Sequence, residues 1–228
     1  MPAPTFHLFS SPGRDDLRYI LEASRPYLEG REDATIAYLP LASLYIERWQ
    51  ELTAEAFRGL ARLRTINTEL MRLPEMESIL REAKLVYIPG GNTFLLNHRL
   101  HISGLMPYLK KKTQAGLPVV AFSAGAILCG PNILTSKDLN TVGTPHFDGL
   151  GLSPFNFKPH YPLDEAGQSV VDDWLGDYQF FHDNPIVMMT DGAYVKSEGR
   201  KAVLVRGEAW IMRQDREKHR LEEGQPIA

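Results

Sequence analysis

The sequence predicts one α/β domain over residues 1–228, in which a doubly wound, mostly parallel β-sheet lies between two layers of helices. Short apolar segments alternate with longer segments of helical periodicity in the first half of the chain, the order typical of a parallel sheet covered on both faces. The length of 228 residues and the 43% hydrophobic content suffice for one domain with a substantial core. A turn of small residues follows the fifth predicted strand and draws attention as a candidate site.

Strands and helices alternate regularly up to this turn. The strands are short runs rich in apolar residues, and the helices carry apolar residues three and four positions apart. The third strand has the weakest β-strand pattern of the five. The predicted strands cover residues 5–9, 34–41, 65–71, 84–88 and 117–122, and the helices between them cover 15–28, 45–63, 74–83 and 93–115.

The second half of the chain has a different pattern. Residues 129–163 are rich in Pro, Gly, Asn and Asp and predict a long loop, which in a compact domain is often functional. A helix and a buried strand follow, then an antiparallel C-terminal β-hairpin, a last strand and a charged tail from Gln214 that we expect to be frayed. The helix covers 164–182, the strand 185–190, the hairpin 194–195 and 202–205 around a turn at 197–200, and the last strand 208–213.

Composition excludes several classes of protein. The net charge of −3 and the lack of a dense Lys/Arg stripe argue against a nucleic-acid partner. The single cysteine, Cys129, rules out an internal disulfide and favours a reducing compartment. No segment is apolar enough for a bilayer span, and no leader is evident. We therefore expect a cytoplasmic protein without a membrane partner.

The turn after the fifth strand has the pattern of a nucleophile elbow. Ser123 is flanked by small residues, with Ala121 two positions before it and Gly125 two positions after it. Such a strand-to-helix turn is so tight that a larger side chain would collide, and it leaves the serine hydroxyl exposed at its tip. The alternative is that Ser123 only caps a helix, because serine is a favoured N-cap residue.

A nucleophilic serine needs a base, and the base needs an orienting carboxylate. The long loop offers His146 and His160 as bases, and His160 has a modest advantage because Pro159 and Pro162 restrict the backbone around it. Two carboxylates are candidates. Asp191 follows a strand and is expected at the same sheet edge as Ser123, whereas the loop position of Asp138 cannot be derived.

The fourth strand ends in Gly90-Gly91-Asn92, and this turn would meet Ser123 because parallel strands share the edge where ligands bind. Glycines let backbone N–H groups converge, so this turn and the amide of Ala124 could form an oxyanion hole. A plain strand-to-helix turn is the alternative reading. The Gly-Lys-Ser/Thr element of a P-loop is missing, and no Cys/His set has zinc spacing. We expect no cofactor and no metal.

These motifs together resemble the peptidase E family of aspartyl dipeptidases and the related cyanophycinases. The resemblance is carried, in this order along the chain, by residues 89–96, residues 122–126, Asp138 and residues 151–161. It implies a fold similar to that of the class I glutamine amidotransferases. It also implies that Ser123 is the nucleophile, that His160 is the base, that Gly91 and Ala124 form the oxyanion hole, and that Gly90 and Asn92 contact the substrate. The third catalytic member would be Asp138 or Asp191, since a Glu-Gly pair of the family reads Asp191-Gly192 here.

The chain departs from the family where the substrate carboxylate is held. Aspartyl dipeptidases of this family have an arginine after the catalytic histidine, but residues 161–184 contain no Lys or Arg and several acidic residues. A side-chain carboxylate would meet like charge there. We therefore expect a serine exopeptidase for short peptides that is not strictly specific for N-terminal Asp, as a monomer or a homodimer. The alternatives are an amidase or esterase with the same elbow, and an inactive binding protein on this scaffold.

Overall fold

The central feature of the computed structural model is an eight-stranded sheet with the order β12-β9-β8-β1-β5-β4-β2-β3. Residues 3–11, 17–31, 33–198, 201–215 and 217–227 are described. The strands of this sheet are β1 (Phe6–Phe9), β2 (Thr35–Tyr38), β3 (Arg62–Thr65), β4 (Leu85–Ile88), β5 (Val119–Phe122), β8 (Tyr194–Glu198), β9 (Lys201–Arg206) and β12 (Pro226–Ile227).

The five strands from the first half of the chain run parallel to one another. Next to β1 the sheet continues with β8, β9 and β12, each antiparallel to the strand before it. Strand β5 lies between β1 and β4, so the elbow emerges in the middle of the parallel part of the sheet. The predicted doubly wound, mostly parallel α/β fold is confirmed, and so is the antiparallel hairpin of β8 and β9. The residues predicted for the hairpin turn include 199 and 200, which lie outside the described residues.

Helices cover both faces of the sheet because successive strand residues point to opposite sides. In β4, Leu85 and Tyr87 belong to an apolar cluster with residues of the first helix and with Phe57, which directly follows the second helix, whereas Val86 and Ile88 cluster with residues of the next four helices. The helices are α1 (Arg18–Leu28), α2 (Ile46–Ala56), α3 (Leu73–Glu82), α4 (Thr93–Ile102), α5 (Leu105–Gln114), α6 (Ala124–Leu128) and α7 (Glu165–Phe181).

A second, four-stranded sheet has the order β11-β10-β7-β6. Its strands are β6 (Asn156–Lys158), β7 (Ile186–Met189), β10 (Ala209–Met212) and β11 (Lys218–Arg220). Strand β6 lies inside the stretch predicted as loop, and it pairs with β7 in parallel, with Lys158 opposite Met188. Strand β7 therefore belongs to this sheet and not to the main one.

Several predicted boundaries were wrong. The helix predicted to Leu63 ends at Ala56, and Gly59, with φ of +78°, lies in the turn that lets the chain enter β3 earlier than the predicted 65–71. The helix predicted over 93–115 is divided at Gly104, which has φ of +74°. The predicted start of the first helix at residue 15 lies outside the described residues.

The prediction of a frayed tail from Gln214 was also wrong. Strand β11 pairs with β10, and β12 pairs with β9, so the tail is held on the body of the protein, where charged residues of the tail also find partners. Lys218, for example, donates from Nζ to Asp172 Oδ2 at 2.8 Å. Among the described residues, no helix combines the length and apolar character needed to cross a bilayer.

Candidate active site

Ser123 occupies a strained turn between β5 and α6. Its backbone has φ of 50° and ψ of −115°, a conformation that a non-glycine residue adopts at a cost and that is typical of functional turns. The Ser123 amide donates to Phe9 O at 3.1 Å, which holds the turn against the neighbouring strand β1. Glycine is required at position 125, since a Cβ there would lie 2.2 Å from Ile88 O. These contacts account for the small residues of the elbow.

His160 meets the serine from the second sheet. Ser123 Oγ and His160 Nε2 are 2.9 Å apart, within hydrogen-bond distance. His160 follows β6 by two residues and has a positive φ of 55°, which turns its ring away from the strand direction. The amide of Tyr161 donates to Met189 O at 2.9 Å, so the backbone beside His160 is held on β7.

Asp191 lies on the other side of the imidazole. The distance from His160 Nδ1 to Asp191 Oδ1 is 2.6 Å. The parallel register of β6 and β7 explains the encounter, because His160 and Asp191 each lie two residues beyond their strand at the same end of the sheet. From the sequence, Asp191 was expected at the end of a strand of the main sheet, and this was wrong because β7 belongs to the second sheet. The predicted position of Asp191 beside the elbow agrees with the structure. Both side chains are open to solvent, 49% exposed for His160 and 68% for Asp191.

Asp138 lies elsewhere, at the N-terminus of α4. Its Oδ2 accepts from the amide of Thr93 at 2.7 Å and from Ser136 Oγ at 3.0 Å. A carboxylate at this place satisfies a free helix N–H group and interacts favourably with the helix dipole. The structure therefore gives Asp138 a role in holding its loop on α4, and His160 is paired with Asp191 instead.

Two other sequence candidates also have structural partners. Asn92, predicted to contact substrate, caps α4: its Oδ1 accepts from the amide of Leu95 at 2.9 Å, and its Nδ2 donates to Leu139 O at 3.0 Å. His146, the alternative base, stacks on His101 with ring centroids 4.3 Å apart. Neither residue lines the cavity at Ser123.

The glycine turn after β4 does approach the nucleophile. A Cβ on Gly90 would lie 3.0 Å from Ser123 Cβ, so the backbone passes directly beside the serine. Gly91 has φ of +136°, and a Cβ there would lie 2.4 Å from Ala42 O, so no other residue fits without a shift. The amide of Ala124 is the first in the chain after Ser123. Gly91 and Ala124 thus come from the two turns that flank the serine hydroxyl.

Sequence reasoning missed Ser10, which joins the two sheets at the site. Ser10 follows β1, is fully buried, and its Oγ accepts from the amide of His160 at 2.8 Å while donating to Met189 O at 3.1 Å. Its own amide donates to Ala193 O at 3.0 Å. A usable signal existed, since Ser10 follows a strand of the same parallel sheet as Ser123 and must emerge at the same edge.

Lys158 is a buried cation below the histidine. The pKa of its amino group is lowered to about 8, mainly by burial and also by the charge of Lys137, while the carboxylates of Asp138 and Asp191 oppose the shift. Its Nζ donates to Pro159 O. The position of Lys158 shows that the loop of Asp138 and the turn of Asp191 both pass near the base of the site.

A cavity of 840 Å³ opens beside Ser123 and His160. It extends from Gly90 and Gly91 between the first two helices and the carboxyl ends of β2 and β4. Most of its wall is apolar or aromatic, as shown by Leu17, Leu21, Tyr45, Trp49, Leu52 and Phe122.

The acidic residues of 161–184 do not line this cavity. Asp164 caps α7 by accepting from the amide of Gly167 at 2.8 Å, and Asp172 pairs with Lys218. The predicted repulsion of a substrate carboxylate by this acidic stretch therefore lacks support, because those carboxylates belong to α7 and its surroundings. Of the residues described, three exposed side chains are close enough to share a metal ion, and they too lie outside the cavity: Asp215, Glu217 and His219.

A serine on a tight turn, hydrogen-bonded to a histidine whose other ring nitrogen faces a carboxylate, is the arrangement found in serine hydrolases on several unrelated folds. Comparison with known proteins assigns the family. The chain matches peptidase family S51 over residues 8–205 and belongs to this family. It is thus a hydrolase of the serine peptidase class.

Individual relatives agree with this assignment. A Drosophila melanogaster protein named "Probable alpha-aspartyl dipeptidase" is 36% identical over 137 residues, which cover 58% of this chain and 57% of the relative. The match therefore spans little more than half the length of that relative. Peptidase E of Streptomyces coelicolor is 29% identical over 200 residues, which cover 84% of this chain and 79% of that protein.

Solved structures show the same fold. A peptidase from an acI-B1 actinobacterium superposes with a TM-score of 0.73 at 16% identity, covering 100% of this chain and 97% of the other. A protein assigned to peptidase E from Listeria monocytogenes EGD-e gives a TM-score of 0.70 at 23% identity, covering 90% and 98%.

Proposed function

We propose that this protein is an exopeptidase that hydrolyses short peptides through Ser123, His160 and Asp191. The observation that supports this most directly is the continuous line of hydrogen bonds from Ser123 Oγ through the imidazole to Asp191 Oδ1, with distances of 2.9 and 2.6 Å. With the ring proton on Nδ1 facing Asp191, the Nε2 atom is free to accept the serine proton. The serine hydroxyl thus has the proton acceptor that it needs to act as a nucleophile.

The first step forms an acyl-enzyme. Ser123 Oγ attacks the carbonyl carbon of the scissile peptide bond while His160 Nε2 takes the serine proton. Asp191 stabilises the imidazolium that results. The amides of Gly91 and Ala124 would donate to the oxyanion, a contribution worth about 10²–10³ in rate for a single donor in other enzymes. His160 then gives its proton to the leaving amine, and the peptide C–N bond breaks.

The second step repeats this chemistry with water. His160 takes a proton from a water molecule, the hydroxide attacks the ester carbon, and the proton returns to Ser123 Oγ as the acid product leaves. The solvent exposure of His160 and Asp191 gives water a direct path to the base.

The same elbow could serve an amidase or an esterase, and an inactive binding protein on this scaffold is the alternative of a different class. Family membership favours the peptidase. The relative from D. melanogaster carries the name of an aspartyl dipeptidase. For this chain we propose a broader or different specificity, because the wall of the cavity beside Ser123 is mostly apolar.

The cytoplasm remains our predicted location. Cys129 is free and fully buried, and burial raises the pKa of its thiol well above the usual range. Such a thiol is protected and inert, as expected for a structural cysteine in a reducing compartment. Whether the protein is a monomer or a homodimer can be measured by light scattering on the purified chain.

The proposal is tested by measuring the product masses from a panel of dipeptides with the wild-type protein and four variants. Ser123→Ala and His160→Ala should each stay folded and lose nearly all turnover, and the double variant should be little worse than either, because nucleophile and base act as a unit. Ser78→Ala, which removes a half-buried hydroxyl on α3 that donates to Glu82, is the matched control and should keep full activity. Retention of more than about a tenth of turnover by Ser123→Ala would refute the proposal.

A further inference from the structure

We infer that the cavity beside Ser123 receives a large apolar side chain of the substrate, and that this side chain belongs to the residue whose carbonyl is attacked. The inference rests on the proposed function and names its substrate class: peptides that begin with a bulky hydrophobic residue. The cavity volume of 840 Å³ lies within the range of pockets that enclose small ligands.

The outer wall is an apolar stripe on α2 that is left uncovered. Tyr45, Trp49 and Leu52 recur at intervals of four and three residues, so they lie along one face of the helix. They are 73%, 41% and 50% exposed, although aromatic and aliphatic side chains of this size are usually better covered. All three line the cavity that leads to Ser123. This continuity with the nucleophile points to the substrate as the group that covers them.

The described residues on the floor of the cavity are uncharged tyrosines. Tyr38 and Tyr87 stack there with ring centroids 5.4 Å apart. Burial raises the pKa of Tyr38 to about 12, so its hydroxyl stays neutral at neutral pH. Among the described residues that line the cavity, Arg18 at the start of α1 and Glu55, which pairs with Arg58, carry charged side chains. A substrate carboxylate that reached the floor would lose its hydration without an ionic partner.

The topology assigns the cavity to the acyl side of the scissile bond. The cavity runs from Ser123 past Gly90 and Gly91, which follow β4, to Pro40 and Ala42, which follow β2. His160 is held by Ser10, which follows β1 on the opposite side of β5. Since the base must also protonate the leaving amine, the leaving group lies on the His160 side. The side chain of the attacked residue then points along β4 and β2 into the cavity.

The experiment compares Ala-Ala, Leu-Ala, Phe-Ala and Asp-Ala. Burial of a leucine side chain in place of alanine should raise kcat/KM about tenfold or more, and Phe-Ala should equal or exceed Leu-Ala. Leu52→Gln, which makes the wall polar, should lower kcat/KM for Leu-Ala about fivefold and should lower it less for Ala-Ala, so the preference for leucine should shrink. Leu70→Gln is the matched control, because Leu70 is 82% exposed and does not line the cavity, and it should change neither substrate.

Binding to the Ser123→Ala variant separates this inference from the catalytic proposal. Trp49 emission should shift on addition of Leu-Ala or Phe-Ala, with Kd values about tenfold below that of Ala-Ala, whether or not the wild-type protein turns these peptides over. Failure of turnover with such binding would refute the proposed function alone.

Three results would overturn the inference. The first is equal binding and equal kcat/KM for Ala-Ala, Leu-Ala and Phe-Ala. The second is a preference for Asp-Ala that Arg18→Gln abolishes, because the cation at the rim would then select the substrate. The third is a dimer whose mass in light scattering falls to that of a monomer in Leu52→Gln, because the stripe would then be covered by a second copy of the chain.

Discussion

Replacement of Asp191 by asparagine separates the two carboxylates that the sequence leaves open. The change keeps the shape of the side chain and removes the charge that faces His160 Nδ1 at 2.6 Å. The imidazolium formed when Ser123 attacks then lacks its ionic partner, and the preferred tautomer of the ring is no longer fixed. We expect turnover to fall while the KM of a good dipeptide substrate changes little.

The size of the effect follows from the exposure of the pair. A hydrogen bond to a charged group contributes about 1.5–3 kcal/mol, and 1.36 kcal/mol corresponds to a tenfold change in rate. Asp191 is 68% exposed, so water can take over part of its role. We therefore expect a loss of about 10²-fold in kcat, smaller than the 10⁴-fold of a buried triad in another enzyme.

Asp138→Asn provides the comparison. An asparagine can still accept from the amide of Thr93, so the loop should stay on α4 and kcat should remain within about threefold. The assay is steady-state hydrolysis of one dipeptide by both variants at equal concentration, with circular dichroism to check folding. A crippled Asp138→Asn together with a nearly normal Asp191→Asn would show that the orienting role of Asp191 is wrong.

Two further predictions concern Ser10 and His7. Ser10→Ala removes the acceptor of the His160 amide, so we expect kcat to fall about tenfold with an unchanged KM. If Ser10→Ala and wild type lose the same fraction of their activity on heating, the lower kcat does not come from a less stable fold. Burial lowers the pKa of His7 to about 4, with a smaller contribution from Lys196. Between pH 6.5, near the usual pKa of histidine, and pH 4 the unfolded chain binds more protons than the folded one. The free energy of unfolding should therefore decrease by up to about 3 kcal/mol as the pH is lowered through this range. Urea titrations at pH 7 and 4.5 measure this loss, which should shrink in His7→Gln; an equal loss in both proteins would contradict the assignment.

The parts of the site that local sequence determines were predictable. The elbow is specified within a few residues, since Ser123 needs small neighbours and Gly125 needs to lack a Cβ beside Ile88 O. The glycine turn at Gly90 and Gly91 is likewise determined by the residues within the turn itself. The parallel order of β1 to β5 follows from the alternation of strands and helices, which places both turns at one edge.

The second sheet could not be predicted, because its edge strand β6 is too short to show a periodicity in the sequence. Strand β6 has three residues, Asn156 to Lys158, in a stretch rich in proline and glycine, and it is stabilised by pairing with β7. The choice between Asp138 and Asp191 depends on that pairing. The place of Ser10 after β1 indicates the sheet edge at which it emerges, but its contact with His160 depends on how separate segments pack, and so does the cavity wall around Trp49.

The central claim is that Ser123 is a nucleophile activated by His160, and covalent labelling tests it most directly. The purified protein is treated with a fluorophosphonate, and its intact mass and peptide map are recorded for wild type, Ser123→Ala, His160→Ala and Ser78→Ala. The account predicts one adduct on Ser123 in wild type and in Ser78→Ala, no adduct in Ser123→Ala, and labelling slowed at least about 10³-fold in His160→Ala. An unlabelled wild-type protein, or an adduct that persists in Ser123→Ala, would contradict the claim.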